Sequence, residues 1–254
     1  MADGVMGVGA VTKSALCGSG RPPNAPSALR CGNKLPTTRR QLTKFLGNGC
    51  HNMQAQSQST SEVPVRQIRA IHDERTIRVY QAYSDAIADS ALAQGTFVSP
   101  PFKMDRMTWI KPSFLWMMYR AGWGMKDPGQ ARILAIDISR EGFEWALTHS
   151  CPSHPGESMT KGEWLHTKEN SPVRIQWDPE RDLHLQPQTH RSIQIGLSKQ
   201  AVDLYAQKWI QRISDVTPLA HRIHKLIRAN TLNEARLLLP QEVPYAFDLN
   251  QLGK

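Results

Sequence analysis

Residues 76–95, TIRVYQAYSDAIADSALAQG, change their periodicity half-way, and that change decides the fold class. From Thr76 to Tyr83 the pattern alternates around β-branched and aromatic side chains, which is the two-residue period of a strand. After Ser84 the apolar residues Ile87, Ala88, Ala91 and Leu92 recur at the spacing of one helix face. Ser84 suits the N-cap, and Gly95 suits the stop because glycine accepts a left-handed backbone.

Working outward, TFVSPPFK (96–103) reads as an extended, proline-stiffened loop. ARILAIDISR (131–140) predicts an apolar strand ending near Ser139, and EGFEWALTHS (141–150) a short helix packing Phe143, Trp145 and Ala146. HSCPSHPGESM reads as a loop, VRIQWDPERD (173–182) as a strand with a turn, and RSIQIGLS (191–198) as another strand. Ser198 is placed to cap a long helix carrying Ala201, Val202, Tyr205, Trp209 and Ile213 on one stripe. TPLAHRIHKLIRANT and NEARLLLP follow as helices, the last closed by Pro240. Separated strands and grouped helices, without internal repeats, predict a single α+β domain over 63–254 with a mixed or mainly antiparallel sheet.

Residues 1–62 have another texture. GSGRPPNAPS and MQAQSQSTS carry too little apolar surface to offset the entropy of ordering, so a disordered basic extension is expected. Its poverty in acids also suits a mitochondrial transit peptide, although MADGVMGVGA does not; a start at Met53 is a third reading. The net charge of +9 is concentrated here: residues 1–61 hold seven of the 31 Lys and Arg against one acid, Asp3. The remainder is close to balance, so charge argues only weakly for a nucleic-acid partner. Cys17, Cys31 and Cys50 also lie in the extension and only Cys151 beyond it, which fits a reducing compartment better than a disulfide scaffold. No run of about 18 apolar residues predicts a membrane span. The expected location is cytoplasmic, or mitochondrial if the extension is a transit signal.

The most apolar segment, RMTWIKPSFLWMMYRAGW (106–123), contains three cations, Arg106, Lys111 and Arg120. Pro112 suits the first turn of a buried helix and Gly122 its stop. Lys111 then sits beside the helix N-terminus, the unfavourable end for a cation. Two readings fit. Either Lys111 runs its stem along apolar surface while Arg106 pairs with Asp105, or the free helix amides, Lys111, Ser113 and Arg106 together hold a phosphate or carboxylate.

This segment, with the upstream RQIRAIHDERTIRVYQAYSDAIADSALAQGTFV and the downstream LAIDISREGFEWAL, resembles the family catalogued as domain of unknown function 4291, from about Arg66 to about Asp248. The resemblance implies a shared fold and no particular activity. TIRVYQAYSDAIADSALAQGTF is also similar to the opening of ADP-ribosyltransferase folds, a strand, a capped helix and Gly-x-Phe that wrap NAD. That likeness implies roles for Arg78, Tyr80 and Gln81, with Glu180 in QWDPER as the late acidic residue; a Ser-Thr-Ser strand is not found.

His149, Cys151 and His154, with His166, form only a fragment of a metal site, and Cys151 has no evident group to orient a base. His221, Arg222, His224, Lys225 and Arg228 form a basic helical run that reads as a solvated face or a phosphate-contacting one. P-loop, GxGxxG, HExxH and GxSxG motifs are absent. The expectation carried forward is an enzyme binding a phosphate-bearing ligand, with NAD-dependent ADP-ribosyl transfer as its narrowest form. Arg78, Arg106, Trp109, Lys111 and Ser113 are then ligand-binding, and Tyr80, Gln81 and Glu180 catalytic. The alternatives are a nucleic-acid-binding module using Arg66, Arg69, Arg75, Arg78 and the basic N-terminal extension, and a non-catalytic accessory protein of a biosynthetic pathway.

Overall fold

A computed structural model describes residues 63–156 and 159–253. The basic extension, with the readings of it as disordered or as a targeting signal, lies outside the described residues. In chain order the elements are β1 (Arg69–Ala70), β2 (Thr76–Tyr83), α1 (Asp85–Gln94), β3 (Thr108–Ile110), α2 (Phe114–Ala121), β4 (Arg132–Ser139) and α3 (Arg140–Thr148). There follow β5 (Ser150–Pro152), α4 (Lys161–Asn170), β6 (Val173–Arg181), β7 (Pro187–Leu197), α5 (Gln200–Leu204), β8 (Ile210–Asp215), α6 (Thr217–Arg228), α7 (Leu232–Leu237) and β9 (Val243–Pro244). This is an α+β fold, and all described residues fall in one compact unit.

The switch of period at Ser84 appears as read: α1 follows β2 at once and stops at Gly95, whose φ of 70° is left-handed. β2 pairs antiparallel with β4, and β4 with β8. A second sheet has the order β3-β7-β6-β5, antiparallel except for the parallel β5–β6 pair. The two sheets meet through one bridge. Tyr80 N–H donates to the Lys111 carbonyl at 2.7 Å, and Lys111 N–H donates back at 3.3 Å. β1 pairs with β9.

Both faces of the β2–β4 pair are buried, as the strict alternation of a strand allows. Ile77, Val79, Leu134, Ile136 and Ile138 face a core shared with Ala88, Phe143, Ala146 and Trp209. Tyr80, Ile133 and Ala135 face a second core filled by Phe114, Met117 and Met118 of α2 and by Ala220 and Ile223 of α6. Each fully buried large side chain contributes about 1.5–3 kcal/mol, so α2 is held by its apolar surface, as its sequence implied.

Four segments depart from the sequence expectation. The helix read as running to Ile213 ends at Leu204, widens into a π turn over Tyr205–Trp209 and gives way to β8. Ile210–Asp215 pair with the edge of β4, whose backbone groups need partners, and this pairing outweighs a weak helical preference. Thr108–Ile110 form a strand ahead of α2, and Ser113 rather than Pro112 begins that helix as its N-cap. The loop read at 149–159 contains β5. The sequence reading left α4 out altogether, because it buries no residue and has no apolar stripe, although Thr160 and Glu163 form a capping box.

Candidate functional site

Beyond the Tyr80–Lys111 bridge, β2 and β3 part, and polar side chains fill the angle between them. Gln81 Nε2 lies 2.6 Å from Thr108 Oγ1 and 3.1 Å from the Trp109 carbonyl, and Tyr205 O–H donates to Gln81 Oε1 at 2.7 Å. Tyr83 O–H and Thr108 Oγ1 are 2.7 Å apart. This network floors a cavity of about 620 Å³. Its walls carry Arg106, Trp109, Lys111, Arg120, Phe102 and Gln194. Trp109 pairs across the ladder with Gly196, where an added Cβ would lie 3.0 Å from the indole, so the glycine sets how deep the ring can sit.

Trp109 and Lys111 project to one side because they are two residues apart on extended backbone. Lys111 is 6% exposed, and its Nζ lies 5.0 Å from the centre of the Trp116 ring. Burial, reinforced by Arg120 and opposed by Asp178, pushes its ammonium down to about 7. Among the described residues no ion pair involves Arg106, Lys111, Arg120 or Asp105, so the reading that paired Arg106 with Asp105 is not what the structure shows. Arg120 reaches only Gln130 Oε1, at 3.4 Å. Gln194 is oriented by Asp178, which accepts from its Nε2 at 2.7 Å.

Gln81, Arg106, Trp109 and Lys111 of the sequence candidates therefore converge on this cavity. Ser113 and Glu180 do not. They line a second cavity of about 370 Å³, where Ser113 Oγ donates to Glu180 at 2.8 Å. Arg78 is on the far face of β2 in a two-point ion pair with Asp137, at 2.7 and 3.0 Å. Tyr80, on that same face, is buried against Phe114, and its hydroxyl has no hydrogen-bond partner among the described residues. Arg120 and Gln194 were not among the sequence candidates. Their signals were a third cation in the apolar segment and a polar residue inside RSIQIGLS.

At the start of α2 the chain itself supplies an acidic side chain as the acceptor. Phe114 N–H donates to Glu242 Oε1 at 2.7 Å, while Ser113 Oγ accepts from Trp116 N–H. The reading that put Lys111 and Arg106 there is corrected: Lys111 is extended backbone, so its side chain leaves toward the first cavity. Burial, with nearby Glu180, raises the Glu242 acid to about 8, opposed by the Phe114 hydrogen bond and Arg69. The folded protein thus holds a proton that the unfolded chain releases above its ordinary value of 4.5, and stability falls as pH rises from there to about 8. Glu242→Gln keeps the acceptor and removes the charge. The variant is expected to gain about 2–4 kcal/mol over the parent at pH 9 and little at pH 5, read from urea midpoints; an equal gain at both pH values would contradict a raised acid.

The metal-ligand fragment does not assemble. His149 stacks on Trp145, Cys151 is buried, and among the described residues no three His, Cys, Asp or Glu groups converge. No helix among the described residues is long and apolar enough to cross a membrane.

A family model described as Domain of unknown function (DUF4291) matches residues 67–245, well over half of the chain, and the chain belongs to that family. No curated protein matches it.

Proposed function

We propose that this member of the DUF4291 family is an enzyme that binds a phosphate-bearing small molecule in the cleft where β2 and β3 part. The observation that carries the reading is the convergence of Arg106, Lys111 and Arg120, none of them in an ion pair among the described residues, on one cavity with an aromatic wall. About 620 Å³ falls in the range of small-molecule sites, about 300–1,000 Å³. Guanidinium forks suit phosphate oxygens, and Trp109 offers a face for a ring.

The narrowest form of the proposal is ADP-ribosyl transfer from NAD, with Arg106 and Arg120 on the diphosphate and Trp109 on a ring. Glu180, which that chemistry would use on a ribose hydroxyl, faces the second cavity. The acid on the wall of the first is Asp127, already accepting from Gly129 N–H and from Gln130. The cations therefore support a ligand class more strongly than they support the transfer. The nucleic-acid reading draws less support, because Arg78 is paired with Asp137 and Arg69 donates to Gln67 and to the Glu242 carbonyl.

Thermal unfolding with NAD, ATP, inorganic phosphate and tRNA tests the proposal. A ligand at 100 times its dissociation constant adds about 2.7 kcal/mol to stability. NAD or ATP is expected to stabilise the parent, and Arg106→Ala to lose most of that gain. A parent that responds to none of the four, as an accessory protein would, or an Arg106→Ala variant that responds like the parent, overturns the assignment. A response to tRNA alone that collapses with added salt returns the nucleic-acid reading.

A further inference from the structure

Lys111 is the only buried lysine among the described residues. Its side chain takes part in no hydrogen bond or ion pair there, yet it lines the cavity rather than the closed core. The Trp116 ring supports it from one side, and Arg106 and Arg120 stand on the same cavity wall. A lysine kept only for its charge would be hydrated or paired with a carboxylate. This one is almost wholly buried, has a like charge nearby and faces space that a ligand can enter. The burial and the like charge favour the neutral amine, the nucleophilic form of lysine.

We propose that Lys111 forms an imine with a phosphate-bearing aldehyde or ketone held in the β2–β3 cleft. The inference rests on the reading of that cleft as a phosphate site and names its substrate class. The Nζ lone pair attacks the carbonyl carbon, forming a C–N bond while the C=O π electrons move to oxygen. A proton passes from nitrogen to that oxygen through solvent, giving a carbinolamine. A second proton, taken from water, lets the C–O bond break and water leave as the nitrogen lone pair forms the C=N bond. The remaining N–H proton returns to the hydroxide left behind, giving the neutral imine. No oxidant or reductant is required. Arg106 and Arg120 hold the phosphate, so the carbonyl is presented to Nζ rather than to the exposed Lys103 or Lys126.

Pyridoxal 5′-phosphate is a suitable probe, since it joins an aldehyde, a ring and a phosphate. The full chain is incubated with it at pH 7.5, reduced with borohydride, digested and mapped by mass spectrometry. At that pH an ordinary lysine is neutral in only about one part in a thousand, whereas burial and Arg120 lower Lys111 to about 7. Lys111 is expected to be labelled at least about tenfold faster than any other lysine, even after its lower intrinsic basicity is counted. Labelling should saturate with probe and disappear in Lys111→Met. Pyridoxine 5′-phosphate, which lacks the aldehyde, separates the two readings. If it stabilises the protein while the aldehyde labels surface lysines indiscriminately, the imine is wrong and the phosphate site stands. If neither molecule binds while NAD or ATP still stabilises the protein, the imine alone falls; if none of these binds, both readings fall.

Discussion

Lys111→Met is expected to melt higher than the parent at pH 6 and to lose the part of pyridoxal 5′-phosphate stabilisation that comes from the imine. Burial pushes the amine down to about 7 in the folded protein, against its ordinary 10.5. Between those values the unfolded chain binds the proton more readily, so parental stability climbs as pH rises from about 7 to about 10.5 and is depressed in full below 7. Methionine has similar reach, needs no hydration and keeps the contact with Trp116. Removing the amine should therefore return about 3–5 kcal/mol at pH 6. In a domain of this size that corresponds to roughly 6–20 °C in melting temperature. The gain should vanish above about pH 10.5, where the parental amine is neutral in both states. Calorimetry at pH 6 and pH 10.5, with and without ligand, checks both parts. A variant that melts lower than the parent at both pH values would show that Lys111 is a packed structural cation and would remove the physical basis of the proposed site. The combination of higher stability with lost imine formation is what a residue kept for function, at a cost to the fold, should produce.

Gly142→Ala is expected to destabilise the domain by about 3 kcal/mol or more, although it places a better helix former inside α3. Propensity alone would favour alanine by about 1 kcal/mol. The new Cβ, however, would lie 2.3 Å from Trp209 Cγ and 2.5 Å from Cδ1, distances at which something must shift. The indole is poorly placed to yield: it is buried, it packs on Trp145 with ring centres 5.4 Å apart, and it ends the π turn that launches β8. Overpacking commonly costs about 1–3 kcal/mol, and here it acts on the largest side chain at that contact. Chemical denaturation measures the loss. Trp209→Leu should make the same glycine substitution far milder, and full additivity of the two changes would argue that ring and glycine are not in contact.

How far this was legible in sequence depends on how much each segment says locally. The unit β2–α1 was readable because its period changes at a residue that caps helices and ends at one that stops them. β3 was not, because Thr108–Ile110 are three apolar-flanked residues running into Lys-Pro, and nothing local separates them from the helix that follows. The error mattered: on a helix Lys111 belongs to the N-terminus, on a strand to the face shared with Trp109. The stripe Ala201, Val202, Tyr205, Trp209 was read correctly as far as the π turn; Ile210 and Ile213 then obey the partner strand β4, which lies some 75 residues earlier in the chain. Unpaired cations in an apolar segment pointed to Arg106 and Lys111. Glu180 could not be placed, because which of two cavities a strand end faces is decided by the sheet and not by its neighbours in sequence.

The β1–β9 pairing has a consequence for how the chain matures. Arg69 donates to the Glu242 carbonyl across 173 residues, Ala70 is matched with Val243, and the cap on α2 comes from the same late segment. On the ribosome, the earliest strand therefore stays unmatched until nearly the whole body has been translated. Closing so wide a loop is slow, and its reward comes only at the end. A nascent polypeptide arrested before Glu242 should remain protease-sensitive around β1 and α2, and release of the last segment should lock both at once.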